Sequence, residues 1–177
     1  SANMPDGIKI ASEIVHGGSA MGCTMVGEML SGYKVLGFDL ETTGLDPRRD
    51  RIVQYALIGS DIDGSHINLT SFVDPGTPIP SASSKIHGIK DSDVKDSGSF
   101  EKHAREIKDM MEGSVIVGHN VSKFDWRFIE IEFLRLGIDV PIPRAIVDTL
   151  TLAKRLRIPG RHTLGHLCNR YNIEISR

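Results

Sequence analysis

The chain has 177 residues, 40% of them hydrophobic and 25% charged, which is ordinary for one globular domain with a substantial core. Its formal net charge of −2 excludes a broad basic surface as the means of holding a nucleic acid. No apolar run approaches the roughly 20 residues of a membrane-spanning helix, and Cys23 and Cys168 are isolated. We therefore expect no membrane association, no disulfide framework, and a cytoplasmic location.

The first legible element is a strand that carries two acids. Residues 1–33 show only a weak apolar pattern broken by glycines, and we interpret them as an extension of unknown role. From Lys34 onward, apolar residues occupy successive positions, which is typical of a buried strand. Side chains alternate along a strand, so Asp39 and Glu41 are predicted to point to one face.

Two neighbouring carboxylates on an apolar strand repel each other and are costly to desolvate unless a cation neutralises them. Their oxygen ligands are suited to Mg²⁺ or Mn²⁺. The alternative is that the strand ends near Asp39 and leaves both acids in a solvated turn.

Two further strands are predicted over residues 52–58 and 67–72, and the Asp63-Gly64 pair between them is typical of a hairpin. With the acidic strand they form a three-stranded antiparallel meander. After a proline-rich loop we predict a helical turn over 81–86 that ends at His87-Gly88, and a helix over 100–111 capped by Ser97 or Ser99.

The second half of the chain alternates between strand and helix. Short strands are predicted at 115–117 and 146–147, with helices after each and a last helical segment from His162. This order predicts a mixed α/β sheet with helices packed on it. Asp125, at the start of the helix that closes at Gly137, either caps that helix or meets the first two acids at neighbouring strand ends. Three converging carboxylates favour a two-metal site for phosphoryl transfer.

Four segments carry a family resemblance in their order and spacing. They are Phe38-Asp39-Leu40-Glu41-Thr42-Thr43-Gly44, Ile86-His87-Gly88-Ile89, His119-Asn120-Val121-Ser122-Lys123-Phe124-Asp125 and Val147-Asp148-Thr149-Leu150. Together they resemble the DEDDh 3′–5′ exonucleases, which include the proofreading subunit of bacterial replicative polymerases and the oligoribonucleases. The resemblance covers residues 34 to about 175 and implies an RNase H-like fold, a five-stranded mixed sheet flanked by helices.

The resemblance implies that Asp39, Glu41 and Asp125 hold two Mg²⁺ (or Mn²⁺) ions, with Asp39 as the bridge. It implies a nucleotide pocket formed by Thr42, Thr43, Leu45, His87, His119, Asn120 and Phe124, and it leaves Asp148 as an acid that supports the site. The expected activity is hydrolysis of single-stranded DNA, or RNA, from the 3′ end to nucleoside 5′-monophosphates. A DNA polymerase subunit is a further expected partner.

The family's third motif supplies a histidine as general base and then an aspartate, and both would follow residues 162–171. The chain reaches Arg177 before that motif, so we expect the exonuclease domain, residues 34–177, to continue in a longer protein. The alternative is a catalytically impaired module that binds nucleic-acid ends or a polymerase. His162 and His166 would share a helix face, and a catalytic role for them is not favoured.

The remaining charged and imidazole side chains carry weaker expectations. Arg48, Arg49 and Arg51 follow the acidic strand and are predicted to form a solvated turn, with phosphate contact as the alternative. His16, His66 and His103 are predicted to be exposed and without a role.

Overall fold

The computed structural model describes residues 32–174. The expectations for residues 1–31, including those for Cys23 and His16, lie outside this range. A single sheet contains five strands, which are β1 (Val35–Thr42), β2 (Ile52–Ser60), β3 (His66–Phe72), β4 (Val115–Gly118) and β5 (Ala145–Asp148). Their order across the sheet is β3-β2-β1-β4-β5, so the acidic strand is central.

The pairing directions confirm the predicted mixed sheet. Strand β1 pairs with β2 antiparallel and with β4 parallel, while β2–β3 is antiparallel and β4–β5 is parallel. Gly64 adopts a φ of 82° in the hairpin between β2 and β3, where its N–H donates to the Asp61 carbonyl at 2.9 Å. That left-handed conformation is why a glycine is suited to this turn.

Six helices lie in the described range, which are α1 (Ser81–His87), α2 (Asp91–Val94), α3 (Phe100–Met111), α4 (Asp125–Leu136), α5 (Thr149–Arg155) and α6 (Leu164–Arg170). Gly88 and Gly137 cap α1 and α4 as predicted, with φ values of 78° and 65°. The four-residue helix α2 was not predicted. Ser99 occupies the N-cap of α3, but its side chain makes no capping hydrogen bond, so that detail of the prediction is wrong.

The main core lies against the even-numbered face of β1. Leu36, Phe38 and Leu40 belong to one buried cluster with side chains of α3 and α4, in which the rings of Phe100 and Phe133 meet edge to face at 5.5 Å. The odd-numbered face is covered at Val35 and Gly37 but is open at Asp39. Apolar packing therefore holds the strand, and its open end presents the acids.

Three histidine expectations can be compared with the structure. His66 is exposed as predicted, whereas His103 is buried, because its ring bonds the Tyr55 hydroxyl at 3.0 Å and the Ser97 carbonyl at 2.7 Å. His162 precedes α6 and bonds the Ile158 carbonyl, so the predicted shared helix face with His166 is wrong.

Cys168 packs at the centre of a small cluster formed by α5 and α6, as expected for a core thiol. Within residues 32–174 we find no helix with the length and apolar character needed to cross a bilayer.

Candidate active site

The acidic strand β1 continues through both of its acids to Thr42, so the alternative of a solvated turn is wrong. Asp39 stands opposite Ala56, and Glu41 opposite Gln54, on the neighbouring antiparallel strand. Alternation along the strand places both carboxylates on its open face, where Asp39 is exposed and Glu41 is half-buried. A register shift directly after Glu41 ends the regular ladder.

Asp125 is the first residue of α4 and is 5% exposed. Its Oδ1 accepts a hydrogen bond of 3.0 Å from the N–H of Leu40, the residue between the other two acids. The N-cap position of α4 is Phe124, without a side-chain capping bond, so the capping alternative for Asp125 is wrong. The structure therefore places this carboxylate against the acidic strand. We call Asp39, Glu41 and Asp125 the acidic triad.

A close approach of two strands makes this arrangement possible. Gly118 ends β4, and a Cβ at that position would lie 2.9 Å from the Phe38 carbonyl and 2.8 Å from the Val121 Cβ. Any larger residue would push the end of β4 away from β1. Glycine at this position thus lets the chain turn into the 119–124 loop, which leads to Asp125.

The acidic triad is electrostatically coupled. Burial, together with the charges of Asp39 and Glu41, raises the pKa of Asp125 to about 8, against the hydrogen bond from Leu40. Burial and the charge of Asp39 raise the pKa of Glu41 to about 7. The three carboxylates are thus close enough to oppose one another's ionisation.

This donor set is suited to a divalent cation. Within residues 32–174, no three side chains of the His, Cys, Asp or Glu types are placed closely enough to form a ready metal site. The acidic triad offers only oxygen donors, as Mg²⁺ and Mn²⁺ prefer, and its mutual repulsion is what a bound cation would relieve. The chemistry of these residues therefore fits the expected ions.

Three of the predicted nucleotide-binding residues follow directly after the acids. The Thr42 hydroxyl donates to a carbonyl two residues on at 2.6 Å, and the Thr43 hydroxyl bonds the Asp50 carboxylate at 3.3 Å and the Arg51 N–H at 3.0 Å. Both hydroxyls are thus engaged within the loop. Leu45, in contrast, is 83% exposed and offers an apolar surface.

His87, at the end of α1, lies against the same loop. Its Nδ1 accepts from the Ile89 N–H at 3.1 Å, which leaves Nε2 as the donor to the Thr42 carbonyl at 3.2 Å in the neutral ring. Ser83 on the same helix donates to the Thr43 carbonyl at 2.6 Å. Helix α1 therefore holds the two residues that follow Glu41, and Ser83 was not anticipated from the sequence.

The last three predicted nucleotide-binding residues lie in the 119–124 loop. Burial lowers the pKa of His119, whose Nδ1 lies 2.9 Å from the Thr149 hydroxyl. Asn120 adopts a left-handed φ of 58°, and the half-buried Phe124 packs its ring 5.1 Å from that of Phe128. Their role in binding a nucleotide stays a prediction.

Asp148 organises this loop. Its Oδ1 accepts from the N–H groups of Asn120 at 2.9 Å and Leu150 at 3.0 Å, and its Oδ2 accepts from the Ser122 N–H at 3.1 Å. The buried carboxylate therefore caps α5 and fastens the 119–124 loop to it. This is the geometry of a supporting acid.

Replacing Asp148 with alanine should lower the free energy of unfolding by roughly 2–4 kcal/mol, because several backbone donors lose a charged acceptor. Urea denaturation followed by the fluorescence of Trp126, the only tryptophan, would measure the change. Asp96→Ala, at an exposed position, serves as the matched control and should shift stability by less than about 0.5 kcal/mol. Equal urea midpoints for Asp148→Ala and wild type would contradict the assigned role.

One buried acid near the site was missed. Glu132 on α4 is 1% exposed and pairs with Arg51 and Arg135, so the prediction of a solvated turn is wrong for Arg51. A signal was present, since Glu132 lies four residues after Phe128, on the apolar face of the helix. An acid at such a position requires a cationic partner.

Comparison with known proteins agrees with this architecture. The RNase_T family model, described as an exonuclease, matches residues 36–177. DNA polymerase III PolC-type of Streptococcus suis is 32% identical over 149 residues, which cover 83% of this chain and 10% of that protein. The PolC-type polymerase of Pediococcus pentosaceus is 31% identical over 88% of this chain and 11% of its own length. The chain thus spans about a tenth of these relatives.

Solved structures show the same fold. E. coli exonuclease I in complex with a dT13 oligonucleotide matches 81% of this chain and 37% of its own, with a TM-score of 0.66 and 23% identity. Exonuclease X in complex with 5′ overhanging duplex DNA matches 80% of this chain and 75% of its own, with a TM-score of 0.60 and 25% identity. The expected RNase H-like fold is therefore confirmed, and the chain belongs to the DEDDh-type 3′–5′ exonuclease family.

Proposed function

We propose that this chain is the nuclease domain of a metal-dependent 3′–5′ exonuclease. It would hydrolyse the terminal phosphodiester of single-stranded nucleic acid, DNA in preference to RNA, and release nucleoside 5′-monophosphates. The observation that carries the proposal is the hydrogen bond from Leu40 to Asp125, which brings the third acid to the strand that bears the other two.

The exonuclease family generally requires divalent metal ions. We assign Asp39, Glu41 and Asp125 as the residues that would hold two Mg²⁺ or Mn²⁺ ions. When bound, the ions would supply the positive charge that phosphodiester hydrolysis needs at the attacking and leaving oxygens. The raised pKa values of Glu41 and Asp125 imply that metal binding displaces protons and strengthens as the pH rises.

The strand end and its neighbouring loops would bind the 3′-terminal nucleotide. Leu45 offers an exposed apolar surface that can pack on any base, as indiscriminate trimming requires. His119, Asn120 and Phe124 would line the other side of the pocket. The hydroxyls of Thr42 and Thr43 already have hydrogen-bond partners within the protein, so they would bind the sugar only after breaking those bonds. His87, on α1, would support this segment through its bond to the Thr42 carbonyl.

A polymerase context is the second part of the proposal. The relatives named above are DNA polymerases of the PolC type, and this chain matches about a tenth of each. We therefore propose a proofreading or repair role beside a DNA polymerase in the cytoplasm. The competing function is a module that binds nucleic-acid ends or a polymerase without turnover.

The proposal is tested with single-stranded DNA that carries a fluorophore at its 5′ end. With Mg²⁺ or Mn²⁺ we expect the labelled strand to shorten stepwise from the 3′ end and nucleoside 5′-monophosphates to accumulate. Excess EDTA should return the rate to background, because the acidic triad alone has no cation to neutralise it. RNA of the same sequence measures the sugar preference. Binding of 3′ ends without shortening, even with Mn²⁺, would favour the binding module.

A further inference from the structure

A cluster of ionic side chains around the buried Glu132 joins α4 to the loop that follows the acidic strand. Glu132 accepts from Arg51 through two parallel bonds, Nε to Oε1 at 2.7 Å and Nη2 to Oε2 at 3.0 Å. Arg135, one helical turn away, donates from Nη1 to the same Oε1 at 2.9 Å. We call Arg51, Glu132 and Arg135 the loop clamp.

The loop clamp contacts loop 44–50 in its middle and at its far end. Arg135 also donates from Nη2 to the carbonyls of Arg48 at 2.9 Å and Pro47 at 3.2 Å, in the middle of the loop. Arg51 closes the loop's far end, since its backbone carbonyl accepts from the Thr43 N–H at 2.9 Å. The loop that carries the exposed Leu45 is therefore fastened to the helix that begins with Asp125.

The interior of the loop is equally constrained. Asp50 accepts from the Asp46 N–H at 2.9 Å, and a Cβ at Gly44 would lie 2.4 Å from the Asp50 carboxylate. These contacts constrain the loop, and Leu45 is its exposed apolar residue, beside the exposed polar residues Asp46, Arg48 and Arg49.

The burial of Glu132 argues for a role beyond stability. A carboxylate that is 1% exposed has lost its hydration, and buried ion pairs commonly add little net stability over apolar residues of the same volume. What such a network does provide is a single geometry, because bidentate Arg–carboxylate bonds are directional. Here the geometry it specifies is that of the loop beside the acids.

We propose that Glu132, through Arg51 and Arg135, is a positioning residue that holds loop 44–50 in its substrate-binding conformation and so sets the affinity for the 3′ end. The inference rests on the proposed exonuclease function. A loop that is already ordered loses little further conformational entropy when it binds the 3′ end. The side-chain hydrogen bonds of the clamp run among its own members and to the loop, so its effect should fall on KM and leave kcat nearly unchanged.

The first test is Arg135→Met, which removes the hydrogen bonds to the Pro47 and Arg48 carbonyls and leaves Glu132 paired with Arg51. We expect KM for a single-stranded DNA oligonucleotide to rise about 3- to 10-fold, with kcat within about twofold of wild type. Amide hydrogen exchange should increase in residues 44–50 alone. Arg127→Met is the matched control, because Arg127 forms the same i,i+3 pair with Glu130 on α4 and, among residues 32–174, its side chain makes no hydrogen bond or ion pair with the loop. It should leave KM and exchange unchanged.

The second variant, Glu132→Gln, keeps the side-chain volume but removes the charge that both arginines share. We expect a KM increase at least as large as that of Arg135→Met, with the Mn²⁺ affinity measured by calorimetry unchanged. An unaltered KM in either variant, or a fall in kcat together with Mn²⁺ affinity, overturns the proposal.

Failure of the proposed function would be recognised separately, as a wild-type protein that degrades no oligonucleotide with Mg²⁺ or Mn²⁺. Fluorescence anisotropy of the same oligonucleotide in Ca²⁺ then decides the matter. Weaker binding by Arg135→Met than by Arg127→Met would sustain the positioning role in a binding module, and equal binding would overturn it.

Discussion

Asp39→Ala should abolish the hydrolysis of single-stranded DNA while leaving the fold intact. The Asp39 side chain is exposed and lies outside the core, whereas its carboxylate is one of the three that we propose to hold the metal ions. Loss of several kcal/mol of charge stabilisation at the reacting phosphate corresponds to a rate lower by roughly 10³-fold or more. Initial rates on 5′-labelled DNA measure the loss, and circular dichroism with the urea midpoint reports on the fold.

The control for this experiment is Glu101→Ala, which removes an exposed acid from the first turn of α3. It should retain the wild-type rate at every Mn²⁺ concentration. A folded Asp39→Ala protein that still shortens DNA in Mn²⁺ would remove the acidic triad from the proposed mechanism.

The metal-free protein should lose stability as the pH rises from about 4 to about 8. Folding raises the pKa of Glu41 from 4.5 to about 7 and that of Asp125 from 3.8 to about 8, so in this window the folded state holds protons that the unfolded state has released. The free energy of unfolding therefore falls with rising pH. The stabilisation from the protonated Glu41 and Asp125 carboxyls is complete below their ordinary pKa values and is lost above about pH 8.

Asp125→Asn isolates this effect, because the amide keeps an oxygen that can accept from Leu40 and carries no charge. In EDTA at pH 8 we expect this variant to have a higher Tm than wild type, and the two should converge near pH 4. At pH 8, saturating Mg²⁺ should raise the Tm of the wild-type protein more than it raises the Tm of the variant. If Asp125→Asn melts below wild type at pH 8 in EDTA, the buried charge is not the destabilising element.

The strands were predictable because their residues obey local rules. Successive apolar residues marked β1, and the Asp63-Gly64 pair marked the hairpin, so the meander followed without any knowledge of distant contacts. The approach of Asp125 to β1 was one of two alternatives that the chain order left open, because neighbouring parallel strands place their ends together and an acid can equally cap a helix. The strand predictions needed only spacing along the chain.

The partners of polar side chains were not predictable, because they lie far apart in sequence. Arg51 and Glu132 are separated by 81 residues, and the sequence around Arg51 does not indicate that its partner is a buried carboxylate. His103 was likewise predicted to lie on the surface, because its partner Tyr55 is 48 residues earlier in the sequence. The partners of the Thr42 and Thr43 hydroxyls are close in sequence, at Gly44 and Asp50, but they depend on the conformation of the loop.

The bond between Leu40 and Asp125 joins residues 85 positions apart, and this separation has a consequence for the order of folding. The meander of β1, β2 and β3 closes through short connections, whereas β4 and α4 must return across a long stretch of chain. We therefore expect the acids of β1 to be in place before Asp125 reaches them. The acidic triad is therefore assembled only when α4 docks against β1, after the three strands of the meander have paired.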